Sequence, residues 1–187
     1  MSIPRFQHSA VRIALAAACL FAPALLRAQD AKPNEYQVKA AYLTNLGRFV
    51  TQWSARVGSP DETFDICVLG QDPFGPDLDT AVKGEKIGGS PLAARRISGP
   101  QEAAGCRVLF ISGSDDAQLS AVLAALGTAP VLTVSDIPDF VKRGGMIQFI
   151  LDGSHVRFAI NIAAAQRAGL TLSSELLKIA RGIRRAL

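Results

Sequence analysis

The chain has 187 residues, enough for one domain with a buried core, and a formal net charge of +4 from 20 Lys and Arg against 16 Asp and Glu. Arg5, Arg12 and Arg27 fall within residues 1–28, which hold no acidic residue, so the remainder balances 17 basic against 16 acidic side chains. A nearly neutral body gives no electrostatic case for nucleic acid or for an anionic lipid surface.

Residues 1–28 read as a secretory signal peptide. Arg5 and Arg12 form the positive leading region, residues 13–26 an apolar run rich in Ala and Leu and broken by Pro23, and Ala28 offers a small residue for cleavage. The run is short of the ~20 apolar residues that span a bilayer. An N-terminal anchor helix is the alternative. The reading places one α/β domain over 29–187, exported to the periplasm with no insertion into the membrane.

A helix is predicted over 34–53, with Asn34 as N-cap and Val38, Tyr42, Leu46, Phe49 and Trp53 forming one core-facing apolar stripe. A loop over 54–61, with Gly58 and Pro60, leads to a strand over 63–69. Residues 70–75 are a turn, 77–82 a short helix, 84–91 a flexible glycine-rich stretch, 92–97 a strand and 100–104 one helical turn. The continuous apolar run 107–111 marks a buried central strand. After it, Ser112-Gly-Ser-Asp-Asp116 opens a helix over 117–126, with Ser114 as N-cap and Asp115 and Asp116 at the positive dipole end. A glycine and free amides after a strand suit phosphate, but two carboxylates stand where the anion would sit, so capping is the better reading.

A buried strand over 130–134 and a short helix over 137–141 precede the clearest signal in the chain, residues 144–161. Met146, Gln148 and Ile150 alternate with Ile147, Phe149 and Leu151, Asp152-Gly153 supplies a hairpin turn, and Val156, Phe158 and Ile160 alternate with His155, Arg157 and Ala159. One face is apolar in both strands, as for a hairpin laid on a core at a sheet edge. Gly144 and Gly145 relieve the turn before it. Helices over 162–168 and 173–186 close the chain, the last with Leu176, Leu177, Ile179, Ala180 and Ile183 inward and Lys178, Arg181, Arg184 and Arg185 as a basic rim. The alternation of elements predicts a mixed, mainly parallel sheet flanked by helices and ending in an antiparallel hairpin.

Cys19 lies in the signal segment, leaving Cys67 and Cys106, each beside a predicted strand. In an oxidising compartment the pair is a disulfide candidate; two buried thiols are the alternative. Two distant cysteines and one histidine, His155, make a poor zinc site, and no metal or cofactor is expected. Sequence motifs for a nucleophile elbow, a P-loop, a dinucleotide fold, a zincin or a thiol redox pair are absent. No catalytic residues are assigned, and His155 alternates outward on its strand.

The runs Glu35-Tyr-Gln-Val-Lys-Ala-Ala-Tyr42, Cys67-Val-Leu-Gly70, Cys106-Arg-Val-Leu-Phe110, Leu132-Thr-Val134, Gly144-Gly-Met-Ile-Gln-Phe149, Val156-Arg-Phe-Ala-Ile-Asn161 and Ser173-Ser-Glu-Leu-Leu-Lys178 resemble, in order, the YfiR family. The resemblance implies a periplasmic, dimeric repressor. It would bind the sensor domain of a YfiN-type membrane diguanylate cyclase, lower cyclic-di-GMP output and be released by a YfiB-like outer-membrane lipoprotein. It implies redox sensitivity through disulfides: Cys67 and Cys106 match one family pair, whereas a second pair has no counterpart, residues 141–150 holding no cysteine. Gly144, Gly145, Met146, Phe149, Phe158 and Asn161 are its structural motif here. Arg157, His155, Lys178 and Arg181 are the interface candidates. The rival class is a periplasmic ligand-binding module with a crevice at the carboxyl ends of the strands near Gly113, Ser114 and Arg56. A hydrolase is the least supported reading.

Overall fold

A computed structural model of the chain describes residues 34–53 and 62–184. The signal-peptide reading, the 54–61 loop with Arg56, and Arg185 lie outside the described residues. Asn34 starts the first helix, α1 (Glu35–Leu46), through a reciprocal capping box: its Oδ1 accepts the Gln37 N–H at 2.8 Å, and Gln37 Oε1 accepts the Asn34 N–H at 3.0 Å. The helix stops earlier than the spacing predicts. Gly47 opens a 3₁₀ turn (Gly47–Phe49), where a Cβ would stand 2.5 Å from Phe64 Cζ and 2.9 Å from Ile87 Cδ1. Val50 then extends into β1 (Val50–Gln52), which pairs antiparallel with β9 (Thr171–Leu172). Close packing at Gly47 and a distant strand partner override the local helical pattern.

The main sheet runs β10 (Gly182–Arg184), β8 (His155–Asn161), β7 (Ile147–Asp152), β6 (Leu132–Ser135), β5 (Val108–Ile111), β2 (Phe64–Leu69), β4 (Ser90–Ile97), β3 (Lys86–Ile87). Only β7–β8 and β3–β4 are antiparallel. The mixed, mainly parallel sheet with its antiparallel pair is the architecture expected from the sequence. The β3–β4 hairpin replaces the flexible stretch expected over 84–91, its turn made by Gly88 and Gly89 at φ of 59° and 94°.

Strand alternation divides the core in two. Phe64, Ile66 and Val68 face α1 and α2 (Pro76–Val82) with Val108, Phe110, Phe149, Phe158 and Ile160. Cys67, Leu69, Leu109 and Ile111 face the opposite side, with Leu119 and Val122 of α3 (Leu119–Leu126) and Phe140. In this second layer Cys67 and Cys106 are joined by a disulfide with a Cα–Cα distance of 5.9 Å.

Three further segments differ from the expectation. Residues 113–118 form a 3₁₀ turn capped by Ser112, and the Ser114 hydroxyl accepts the Gln71 N–H instead of capping a helix. Residues 137–141 are turns: Asp139 sits at φ 58°, and its carbonyl accepts both the Lys142 and Arg143 N–H groups. The last helix, α5 (Ser174–Ile179), ends before β10, where Arg181 N–H bonds the Phe158 carbonyl and the chain turns to cover the β8 edge. The hairpin is thus internal to the sheet, and its loop is Gly153-Ser154, with Asp152 opposite His155. Between the hairpin and α5, α4 (Ile162–Arg167) is capped by Asn161, whose Oδ1 accepts the Ala164 N–H at 3.0 Å and whose amide donates to the Val141 carbonyl at 2.9 Å.

Gly145 does more than relieve a turn. A Cβ there would lie 2.1 to 2.4 Å from the fully buried Phe140 ring. Gly145→Ala is expected to cost about 1–3 kcal/mol by overpacking, read as a lowered urea midpoint at unchanged slope. A midpoint equal to the wild type's would show that the ring yields freely.

Candidate functional site

On α1 the buried positions are Lys39, Ala40, Leu43, Thr44 and Leu46. The stripe expected to face the core therefore lies partly outside it. Val38, Tyr42 and Phe49 are only half-buried, and with Phe158 of β8 and Leu176 and Ile179 of α5 they line an open groove of about 650 Å³. Gln37, Ala41, Asn45 and Leu46 complete the wall on α1, and no charged side chain lines it. Tyr42 is held edge-on to Phe158, with ring centroids 5.7 Å apart, and tilted against Phe149 at 6.1 Å.

Three large apolar side chains among the described residues stay exposed: Leu151 at 53%, Ile179 at 57% and Ile183 at 39%. Ile179 lines the groove. Leu151 pairs with Val156 and Ile183 with Ile160, and cross-strand partners point to one face, so both flank Phe158 on the α1 side. A contiguous apolar surface of this kind marks an interaction site.

The basic candidates are arranged differently. His155 and Arg157 alternate with Val156 and Phe158 and so point to the opposite face of the sheet, both exposed. Arg181 pairs with Asp152 at 2.7 Å, beside His155 across the hairpin end. Lys178 is exposed on α5 next to Ile179. The structure thus gathers Arg181 and His155 at the turn end of the hairpin, and places His155 and Arg157 away from the groove. Met146, Phe149, Phe158 and Asn161 are buried.

A second cluster escaped the sequence reading because its members are far apart in the chain. Lys39, 2% exposed, bonds Asp136 just beyond β6 at 2.6 Å and Glu35 at 2.5 Å, and lies 4.4 Å from the Tyr36 ring centroid. Tyr36 donates its hydroxyl to Asp136 at 3.1 Å. Burial alone would lower the Lys39 pKa, but hydrogen bonds to Asp136 and Glu35 outweigh it and hold the ammonium above its usual value. Burial, followed by the Asp136 charge, raises the Tyr36 phenol. The cluster fastens α1, one wall of the groove, to the carboxyl end of β6.

The five parallel strands follow the order β4-β2-β5-β6-β7. In such doubly wound sheets ligands bind where the winding reverses, here beyond the carboxyl ends of β2 and β5. That place is filled by the chain itself. Gly70, at φ 88°, leaves room for Asp115, whose Oδ2 would lie 1.8 Å from a Cβ there, and Ser114 Oγ donates to Asp115 at 2.9 Å. The crevice near Gly113 and Ser114 is therefore closed by side chains of the turn. Among the described residues no three His, Cys, Asp or Glu side chains converge as a metal site.

Fold and groove define a doubly wound α/β module with an open apolar surface. The YfiR/HmsC-like family model matches residues 36–181, and the chain belongs to that family. Its members are periplasmic regulators of cyclic-di-GMP signalling that work with a cyclase sensor partner. Among the described residues no helix is long and apolar enough to cross a membrane.

Among curated proteins none matches by sequence. Among solved structures, a conserved domain protein from Vibrio cholerae O1 biovar El Tor superposes with a TM-score of 0.54 at 13% identity, over 78% of this chain and 60% of that one. The ABC domain from Streptococcus pneumonia in complex with L-Trp gives a TM-score of 0.51 at 14% identity, over 77% and 60%. Both likenesses are of fold, and the chain spans about three fifths of each.

Proposed function

We propose that this protein binds the periplasmic sensor domain of a YfiN-like membrane diguanylate cyclase through the α1–β8–α5 groove and thereby lowers cyclic-di-GMP output. The observation that carries the reading is the groove itself: an uncharged apolar trough, flanked by exposed Leu151 and Ile183, in a chain of a regulatory family. A partner that binds only the inactive cyclase shifts its equilibrium by its differential affinity for the two states. Control passes to whatever competes for the repressor, a YfiB-like lipoprotein in this scheme, and the repressor acts as a homodimer.

Ile179→Asp is the direct test. The side chain is 57% exposed, so folding is spared, while a carboxylate in the trough would be desolvated on docking. The expected loss is about 2 kcal/mol of partner affinity, roughly 30-fold, read as raised cellular cyclic-di-GMP at an unchanged melting temperature. Arg157→Glu, on the opposite sheet face, is the matched comparison and is expected to leave the level unchanged. If Ile179→Asp is silent and Arg157→Glu raises the level, the docking face is the basic one and the groove is not the interface.

A further inference from the structure

A second cavity, about 270 Å³, shares no lining residue with the groove. It lies between the end of α3, the start of β6, the turn carrying Arg143 to Met146, and α4. From its donor inventory we infer that it is a binding site for a small oxyanion, a carboxylate or a phosphate.

Three side chains carry the argument. Arg143 bonds the carboxylate of Asp116 and, at 2.9 Å, its carbonyl, which leaves further N–H groups of a guanidinium that has five. Arg167, exposed on the last turn of α4, has no acidic partner among the described residues. Thr133 is 2% exposed, and its Oγ1 accepts the Met146 N–H at 3.1 Å, so its own O–H remains to be donated. No Asp or Glu lines the cavity.

The C-terminal end of α3 borders the same space, and helix ends of that sign disfavour anions. Two of its last four carbonyls are bonded, however, and so is one just beyond the helix. Leu123 O accepts from Gly127 at 3.2 Å, Leu126 O from Ala129 at 2.9 Å and Ala129 O from Val131 at 2.7 Å. The positive charge of Arg167 is uncompensated among the described residues, and no carboxylate lines the space to oppose an anion. A helix-dipole role would account for the cation on α4 but not for a buried hydroxyl and a second guanidinium lining the same hollow. The volume is just below the ~300 Å³ at which drug-sized pockets begin, which favours one small polyoxygenated molecule over a nucleotide.

Titration calorimetry on the exported protein, with inorganic phosphate in one arm and malonate in the other at matched ionic strength, tests the site. Saturable one-to-one binding is expected in at least one arm, and the responding arm identifies which oxyanion is taken. Arg167→Gln is expected to weaken it at least about tenfold, as for loss of a hydrogen bond to a charged group, and Arg167→Lys to retain part of it. Heats equal to a sodium chloride control in both arms, or affinity unchanged in Arg167→Gln, would overturn the assignment. Neither result depends on the cyclase reading, which is tested by cellular cyclic-di-GMP.

Discussion

Replacing Cys67 and Cys106 together by alanine is expected to lower the unfolding free energy by about 4 kcal/mol. The bridge spans a sequence separation of 39, and in the chain-entropy account a loop of that length constrains the unfolded chain by roughly this amount. The native state contributes little extra, since β2 and β5 are already joined by their own ladder, with Cys67 opposite Leu109. Both sulfurs lie in the second core layer, at 0% and 2% exposure. Reductant should therefore act through opening of the structure, and slowly under native conditions. A urea titration of oxidised wild type, wild type reduced while unfolded, and the double variant checks all of this. The last two should share a midpoint well below the first. Coincidence of all three would mean that the bridge stabilises nothing.

The strands over 64–69 and 108–111 were legible because a strand buried on both faces needs only a continuous apolar run between turn residues, which 108–111 has throughout and the first strand has from Ile66 to Leu69, after Asp65. The α1 stripe was legible as periodicity but not as destination. Val38 and Tyr42 recur at helical spacing, yet spacing cannot say whether a stripe meets a core or an open trough. Here Ala40 and Leu43 take the core together with Leu46 of the stripe, and the stripe's half-buried members Val38, Tyr42 and Phe49 become the candidate site. The C-terminal segment fails for a related reason. Leu176, Ile179 and Ile183 fit a helix, but the edge of β8 captures Gly182–Arg184 as a strand, and that edge is contributed by residues more than twenty positions earlier. Lys39 and Asp136 are 97 residues apart, and no local pattern announces that they meet. The Cys67–Cys106 pair was visible because cysteine chemistry allows few partners.

The Lys39 cluster carries the second large effect, and its asymmetry is the useful part. Lys39 is buried, whereas its partners Asp136 and Glu35 keep 19% and 34% of their side-chain surface in solvent. Asp136→Ala should cost about 3 kcal/mol, because it strands a buried ammonium with one remaining carboxylate and removes the acceptor of the Tyr36 hydroxyl. Lys39→Met should cost under about 1 kcal/mol, since a thioether of similar length fills the space and both carboxylates can rehydrate. Denaturant midpoints for the two variants give the comparison directly; equal losses would mean that the lysine is no more desolvated than its partners. The pH profile adds an independent check. The folded-state pKa of Lys39 is raised above 10.5, so its contribution is complete below that pH and is lost as pH climbs through the folded value. Tyr36, raised above 10.0, works in the same direction, because the unfolded phenol ionises first. Wild-type stability should therefore fall on the alkaline side of about pH 10, and the fall should be shallower in Lys39→Met. Because this cluster sets α1 against the sheet, Asp136→Ala should also loosen one wall of the groove. Any rise in cellular cyclic-di-GMP should then follow the loss of stability in Asp136→Ala, while in Ile179→Asp it should appear with stability intact.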